Sequence, residues 1–220
     1  RTPLNDYSTQ RRGGIGVFDI QTSREDSVAH LLVARAGATL LTVTNRGRAF
    51  RLPADSLPLS AQRSRGASLP ERLALTPGET LAALLALDDD DPRSTVLVAT
   101  NNGWVRPWHR NYLGPRLQPG TLLYDPQRGG GPPAAMILSE GDADLLIALR
   151  SGAAYRFSES LARRDGVRGI QVRPDDAVVG LASVRDDSSV LLVSADGQGT
   201  RREMSGFTAN KFFYTRLARI

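Results

Sequence analysis

The segment Gln10-Arg11-Arg12-Gly13-Gly14-Ile15-Gly16 brings two permanent cations, one amide and three glycines into seven residues. The glycines allow turns that aim backbone N–H groups outward. The guanidinium forks match the geometry of phosphate oxygens, and the glutamine adds a neutral donor and acceptor. Nothing in the segment transfers a proton or attacks a carbon, so its chemistry is anion binding, with the phosphates of a polyanion the best match. Basic, Gly-rich turns also occur as solvated hairpin ends, and the rest of the chain has to decide between the two readings.

A second set of arginines repeats along the chain. Arg51, Arg106, Arg156 and Arg201 each follow a turn glycine by three or four residues, with further base at Arg46 and Arg48, Arg63 and Arg65, Arg163 and Arg164, and Arg202. Repetition in register predicts equivalent positions around a ring, hence a belt of charge that tracks phosphates. The alternative is charge placed on exposed edge strands for solubility and against edge pairing. Arg-Gly pairs also lead into the copies, at Arg12-Gly13, Arg65-Gly66 and Arg168-Gly169, with Arg116 and Arg128-Gly129 as rivals for the remaining lead. Trp104, Trp108 and His109 flank Arg106 and Arg110 and are expected to pack between sheets rather than stack on bases.

Catalysis finds little support. His30 and His109 are the only histidines and lie in no metal-ligand spacing, and no serine sits in a nucleophile setting. Gly13-Gly14-Ile15-Gly16 lacks the Lys-Ser/Thr that would complete a nucleotide-binding loop. The acidic run Asp88–Asp91 matches no calcium-loop spacing and reads as a solvated hairpin tip. No cofactor and no metal is implied.

The elements that position the arginines are strands. Four copies read apolar strand, apolar strand, glycine turn and arginine-bearing strand: residues 27–34, 39–44 and 48–52; 80–87, 95–100 and 104–106; 134–138, 144–149 and 153–157; 177–184, 189–194 and 198–202. Turn glycines at 47, 103, 152 and 197 give a period of roughly 45–56 residues, near that of propeller blades. Middle strands apolar on both faces imply sheets packed between two neighbours. Helical periodicity is absent, and residues 158–164 offer at most one short turn. Residues 125–133 read as a loop, and 207–220 as a closing strand or a partner-binding tail.

Composition agrees with a folded β domain: 40% hydrophobic and 23% charged residues, a net charge of +5, and no cysteine to support disulfides or a thiolate metal site. Lys211 is the one lysine among 28 basic residues, a bias that coding preference explains without excluding phosphate contact. No apolar run reaches the roughly 18 residues of a membrane span, so no membrane partner is expected. The chain starts at Arg1 without a methionine, which reads as a piece of a longer protein, and its expected setting is cytoplasmic.

Taken with the preceding Arg1-Thr2-Pro3-Leu4-Asn5-Asp6-Tyr7, the basic segment resembles the gyrase A box of the C-terminal domain of bacterial DNA gyrase A, with Ile15 where that family usually carries a basic residue. Thr44-Asn45-Arg46-Gly47-Arg48-Ala49-Phe50-Arg51-Leu52 is similar to that family's recurring blade strand, and Leu75-Thr76-Pro77-Gly78-Glu79 to its link between blades. The resemblance implies an all-β β-pinwheel, propeller-like, of four-stranded blades with strand exchange, spanning residues 1–220 as a single domain of about four to five blades. It implies wrapping of double-stranded DNA on a basic rim, fastened by Gln10, Arg11, Arg12, Gly13, Gly14 and Gly16. The wrapped DNA would be presented to a type II topoisomerase core near the nucleoid, with the remainder of gyrase A and, through it, gyrase B as partners. The domain itself would be non-catalytic. The related domain of topoisomerase IV, which binds and bends DNA without a stable wrap, is the nearest alternative within that resemblance. A propeller-like module for an acidic protein partner is the alternative outside it.

Overall fold

The computed structural model describes residues 1–11, 13–14, 16–23, 28–128, 130–194 and 197–207, and the backbone of 212–214. Every regular element among them is a strand or a 3-10 turn. Three hairpins repeat one plan: β1 (Thr39–Thr44) with β2 (Arg48–Pro53), β4 (Thr95–Thr100) with β5 (Trp104–His109), and β8 (Asp144–Leu149) with β9 (Ala153–Ser158). The turn glycine of each has φ between +74° and +87°, a conformation that costs glycine alone nothing. A 3-10 turn closes each hairpin, at Ala54–Ser56, Arg110–Leu113 and Glu159–Leu161. The last lies within the residues expected to hold one short turn.

Each hairpin gains two strands from the chain that follows it. On its inner edge lies β3 (Leu81–Leu87), β7 (Pro133–Ser139) or β11 (Val178–Val184), antiparallel to β1, β4 and β8 respectively. On its outer edge lies a much shorter strand, β6 (Thr121–Leu122), β10 (Val167–Arg168) or β14 (Phe212–Tyr214), antiparallel to β2, β5 and β9. The sheets therefore run β3-β1-β2-β6, β10-β5-β4-β7 and β11-β8-β9-β14. β7 packs against β3 on one side and β11 on the other, so these strands line the centre and β6, β10 and β14 form the rim. A further hairpin, β12 (Ser189–Val193) with β13 (Gly199–Glu203), follows as a two-stranded sheet. This is a pinwheel of blades with strand exchange: every rim strand comes from beyond the hairpin of the following blade.

The pairing shifts the frame of the repeat. The apolar segment that opens each copy in sequence completes the blade before it. The same logic corrects the expectation of a strand at 27–34. Ser27 lies outside the described residues; 28–34 form no strand, and Val28, Leu31 and Val33 are exposed. The equivalent strands β3, β7 and β11 each find a hairpin ahead of them in the chain, whereas the described residues before 28 contain no hairpin. The third lead is likewise neither Arg116 nor Arg128-Gly129 (Gly129 lies outside the described residues): β6 takes that place, with Leu122 where β10 carries Arg168. In the tail, 212–214 supplies the rim strand of the third blade, and the rest of 208–220 lies outside the described side chains.

The core lies between blades. Leu41 and Val43 of β1 meet Val96 and Val98 of β4 together with Met136, Leu138 and Tyr124. The alternate residues Leu97 and Ala99 turn to the other face, against Leu145, Ile147 and Phe157 of the third blade. Period-two alternation thus feeds two cores from one strand, which is why β4 and β8 are buried on both faces. β12 alternates exposed and half-buried because its two-stranded sheet lacks those neighbours. The Trp108 ring lies tilted at 36° to that of Tyr124, centroids 5.9 Å apart, against the first of these cores, as expected for packing between sheets.

Candidate nucleic-acid interface

The box follows the 3-10 turn Leu4–Asp6 in the same order as each rim strand follows the turn that closes the next blade's hairpin. Gln10, Arg11, Gly13, Gly14 and Gly16 are all exposed; Arg12 and Ile15 lie outside the described residues. Gly13 and Gly16 adopt φ of +80° and +79°, and the Gly14 N–H closes a turn onto the Arg11 carbonyl at 2.9 Å. The stems are moored. Thr2 Oγ1 and Tyr7 Oη donate to the two carboxylate oxygens of Asp19 at 2.9 and 2.5 Å, and Gln62 Nε2 donates to the Asp6 carbonyl at 2.9 Å. The Arg63 N–H donates to the Asp19 carbonyl at 2.7 Å, and Ile20 bridges Ser64. Arg1 donates to the carbonyls of Pro58 and Leu57 and pairs with Asp55 at 3.0 Å.

The belt of in-register arginines does not form. Arg51, Arg156 and Arg201 stand opposite Leu41, Leu146 and Leu191, but the residue of β5 opposite Leu97 is Pro107. Arg106 is one position off and so faces the other side of its sheet. The remaining three meet different surroundings. Arg156 is buried at 4% exposure: its Nε reaches Asp144 at 2.9 Å, Nη2 reaches Asp186 at 2.7 Å, and Nη1 donates to the Met204 and Phe207 carbonyls at 3.1 and 2.6 Å. It joins the third blade to the fourth hairpin and offers no surface to a ligand. Arg51 is half-buried, with Nη2 on Thr39 Oγ1 at 3.2 Å and a buried Nε that has no partner; burial pulls its pKa down. Arg201 is exposed and pairs with Glu203 at 2.6 Å.

Arg46 and Arg48 are also committed to structure. The two segments similar to the family's blade strand and link lie against each other. Arg46 donates to Thr76 Oγ1 and the Pro77 carbonyl, each at 2.7 Å, and Arg48 Nη1 pairs with Glu79 at 2.6 Å. Thr44 Oγ1 donates to the other carboxylate oxygen at 2.6 Å. Burial alone would raise the Glu79 carboxyl, but hydrogen bonds from Thr44 and Thr76 and the charge of Arg48 hold it at about 2. Arg110 Nη1 donates to the Asp91 carbonyl at 2.7 Å and Nη2 to that of Asp88, and the guanidinium lies 3.8 Å from Asp89. The acidic run is therefore the link from β3 to β4 rather than a hairpin tip, and Arg35, Arg93 and Arg110 neutralise it. The hydrogen bond from Arg93 holds Asp91 at about 2.

Five of the remaining arginines lie at the crossovers that make the rim. Arg63 and Arg65 flank Ser64, Arg163 and Arg164 precede β10, and Arg168 lies on it; all are exposed and have no ion pair among the described residues. Arg202 is exposed in the same sense on β13. The Arg168 and Arg106 guanidiniums each lie over the Trp104 ring, at 5.5 and 5.8 Å from its centroid, and Arg106 donates to the Asp165 carbonyl at 3.0 Å. Trp104 is thereby occupied, with Gly130 too close to its ring to carry a side chain. Arg116, exposed ahead of β6, lines a pocket between blades together with Arg51 and Arg110; the recurring Arg-Gly leads, more than the count from the turn glycines, were the signal for the rim set.

A family model for the DNA gyrase C-terminal domain, beta-propeller, matches residues 1–35, 38–88 and 150–185. The DNA gyrase A protein of Salmonella typhimurium is 29% identical over 204 residues, which cover 90% of this chain and 23% of the relative. That of Staphylococcus epidermidis is 30% identical over 217 residues, covering 94% and 24%. The chain thus spans about a quarter of the length of the curated relatives it matches. Among solved structures, a DNA gyrase A C-terminal domain superposes with a TM-score of 0.71 at 18% identity, covering 94% of this chain and 69% of the other. The C-terminal domain of DNA topoisomerase IV gives 0.58 at 20% identity, covering 79% and 56%. With more than half of its residues matched by the family model, the chain belongs to the DNA gyrase C-terminal domain family.

Proposed function

We propose that this chain binds duplex DNA largely without regard to sequence and wraps it with a defined hand along its rim crossovers, fastened by the box. It would act as a non-catalytic part of a type II topoisomerase. One observation carries the reading: Arg63, Arg65, Arg163, Arg164 and Arg168, all exposed and without an ion pair among the described residues, lie at the exchanged rim segments, while Arg46, Arg48, Arg110 and Arg156 of the hairpins and their turns are bound to structure. Arg63, Arg65, Arg163, Arg164, Arg168 and Arg202 are the proposed phosphate contacts beside Gln10, Arg11, Arg12, Gly13, Gly14 and Gly16. Arg46 and Arg106 serve where their stacked or bonded heads still face solvent. Arg156 and Arg48 are withdrawn from that set, and Arg51 and Arg110 line an inter-blade pocket of about 610 Å³ instead of the rim. The gyrase A relatives support placing the remainder of gyrase A, and gyrase B through it, as partners in a bacterial cytoplasm.

Each neutralised phosphate releases counterions, so the slope of log K against log salt falls by about 0.9 per contact. Bending 20–30 bp by 40–90° costs on the order of 1–6 kcal/mol, and contacts distributed along the rim offset it. Changing Arg163, Arg164 and Arg168 together to Gln should lower the salt slope by about 2–3. The decisive experiment ligates nicked plasmid with and without the chain at low salt and reads the linking number. A positive shift that shrinks in an Arg11→Ala/Arg12→Ala variant supports the fastened wrap. Retarded DNA without a shift favours bending of the topoisomerase IV kind, a reading that Ile15 in the box also favours. No binding refutes the proposal.

A further inference from the structure

We infer that Asp19 is a positioning residue that closes the box into a fixed loop and registers it against the Arg63-Arg65 crossover; the functional half of this inference rests on the DNA-binding reading above. A carboxylate beside a phosphate-binding loop repels the ligand, so its presence there asks for a reason. The reason is geometric. Each carboxylate oxygen accepts one hydroxyl from the stem ahead of the box, Thr2 to Oδ1 and Tyr7 to Oδ2, while Asp19 itself stands on the stem behind it. The side chain therefore spans the neck of the loop. Its own carbonyl accepts the Arg63 N–H, and the next residues continue the contact through Ile20 to Ser64 and the Gln21 N–H to the Ser64 carbonyl at 2.9 Å. One residue thus holds both ends of the box together and fastens that neck to the neighbouring arginines at 63 and 65. Both donors are neutral, so among the described residues the negative charge has no cationic partner, and the hydrogen bond to Asp19 raises the Tyr7 pKa. Binding to a loop whose two stems are already held together lowers the ordering cost that a free loop would incur on DNA.

Charge and positioning predict opposite outcomes, which makes the test sharp. Asp19→Asn removes one negative charge, so charge alone predicts tighter DNA binding. It also denies one hydroxyl its acceptor and loosens the neck. The expected result in the full 220-residue chain is retardation of linear duplex equal to or stronger than wild type, together with a linking-number shift reduced to that of the Arg11→Ala/Arg12→Ala variant. Trypsin cleavage after Arg11 and Arg12, followed by mass spectrometry without DNA, should run about five- to tenfold faster, as loss of one solvent-exposed hydrogen bond raises the open population. Tyr7→Phe, which changes no charge, should give intermediate cleavage and an intermediate shift. An unchanged unfolding midpoint in both variants separates these effects from misfolding. Wild-type cleavage rates in Asp19→Asn would overturn the inference whatever the DNA does; faster cleavage with an intact linking-number shift would overturn its functional half. If wild type neither retards DNA nor shifts linking number, the DNA reading fails, while cleavage still decides whether Asp19 closes the loop.

Discussion

Replacing Arg156 by Met should destabilise the fold without touching DNA affinity, although this arginine occupies the same register position as exposed Arg201. Methionine keeps most of the buried stem and removes only the guanidinium. Of its partners, Asp186 is 85% exposed and returns to water at a cost no greater than that of a surface pair, at most about 0.5 kcal/mol. Asp144 is only 23% exposed and loses its cation, and the Met204 and Phe207 carbonyls lose charged donors. Breaking a buried ion pair from one side costs roughly 3–5 kcal/mol, and the partial exposure of Asp144 places the total near the lower end, about 3 kcal/mol. In a chain of this length about 2–4 °C of midpoint accompanies each kcal/mol, so thermal unfolding by circular dichroism should shift by about 6–12 °C. Arg201→Met, which breaks an exposed pair with Glu203, should shift the midpoint by no more than about 2 °C. The salt slope of DNA binding should be unchanged in Arg156→Met. Equal midpoints for the two variants, or an Arg156→Met protein of native stability with a slope reduced by about one, would refute the structural role assigned to the buried guanidinium.

Glu79 should make the fold sensitive to acid. Its folded pKa of about 2 lies below the ordinary 4.5, so its contribution is complete above the unfolded value and is lost as pH falls through about 2. The loss should reach about 3 kcal/mol in urea unfolding measured between those pH values, and Glu79→Gln should flatten that limb. Gly47→Ala forces a side chain into positive φ and places its Cβ 2.1 Å from the Tyr124 carbonyl oxygen, so the chain leaving β6 must move; we expect a loss of at least about 2 kcal/mol. Gly197→Ala meets the same strain with nothing within 4 Å and should cost only about 1 kcal/mol, a difference that chemical denaturation resolves.

The hairpins are legible in the sequence because a local signal marks them: a glycine turn between runs whose alternation meets two neighbouring blades. Rim strands such as Thr121–Leu122 are too short to show any period, and their pairing with Arg48 and Ala49 is non-local, so spacing reveals neither the exchange nor the phase of the blades. The arginine belt fails for a related reason. Counting from the turn glycine makes Arg106 equivalent to Arg51, but a one-residue difference reverses the face of a strand. The fate of Arg156 is set by carbonyls of Met204 and Phe207, contributed by the following hairpin. The box is legible as chemistry, whereas Asp19 is not, because its role depends on Thr2 and Tyr7 folding back onto it.

Strand exchange also imposes an order on folding during synthesis. Residue 48 is made well before residue 122, its partner at the rim, and residue 104 well before residue 168. At about 5–20 residues per second, a new blade waits several seconds with an open outer edge until the following hairpin has been made and passed. Blades must then close one behind another from the amino-terminal side, each arriving hairpin sealing its predecessor. Arginine on those waiting edges, as at Arg48 and Arg51, discourages pairing with other nascent chains before the proper strand arrives.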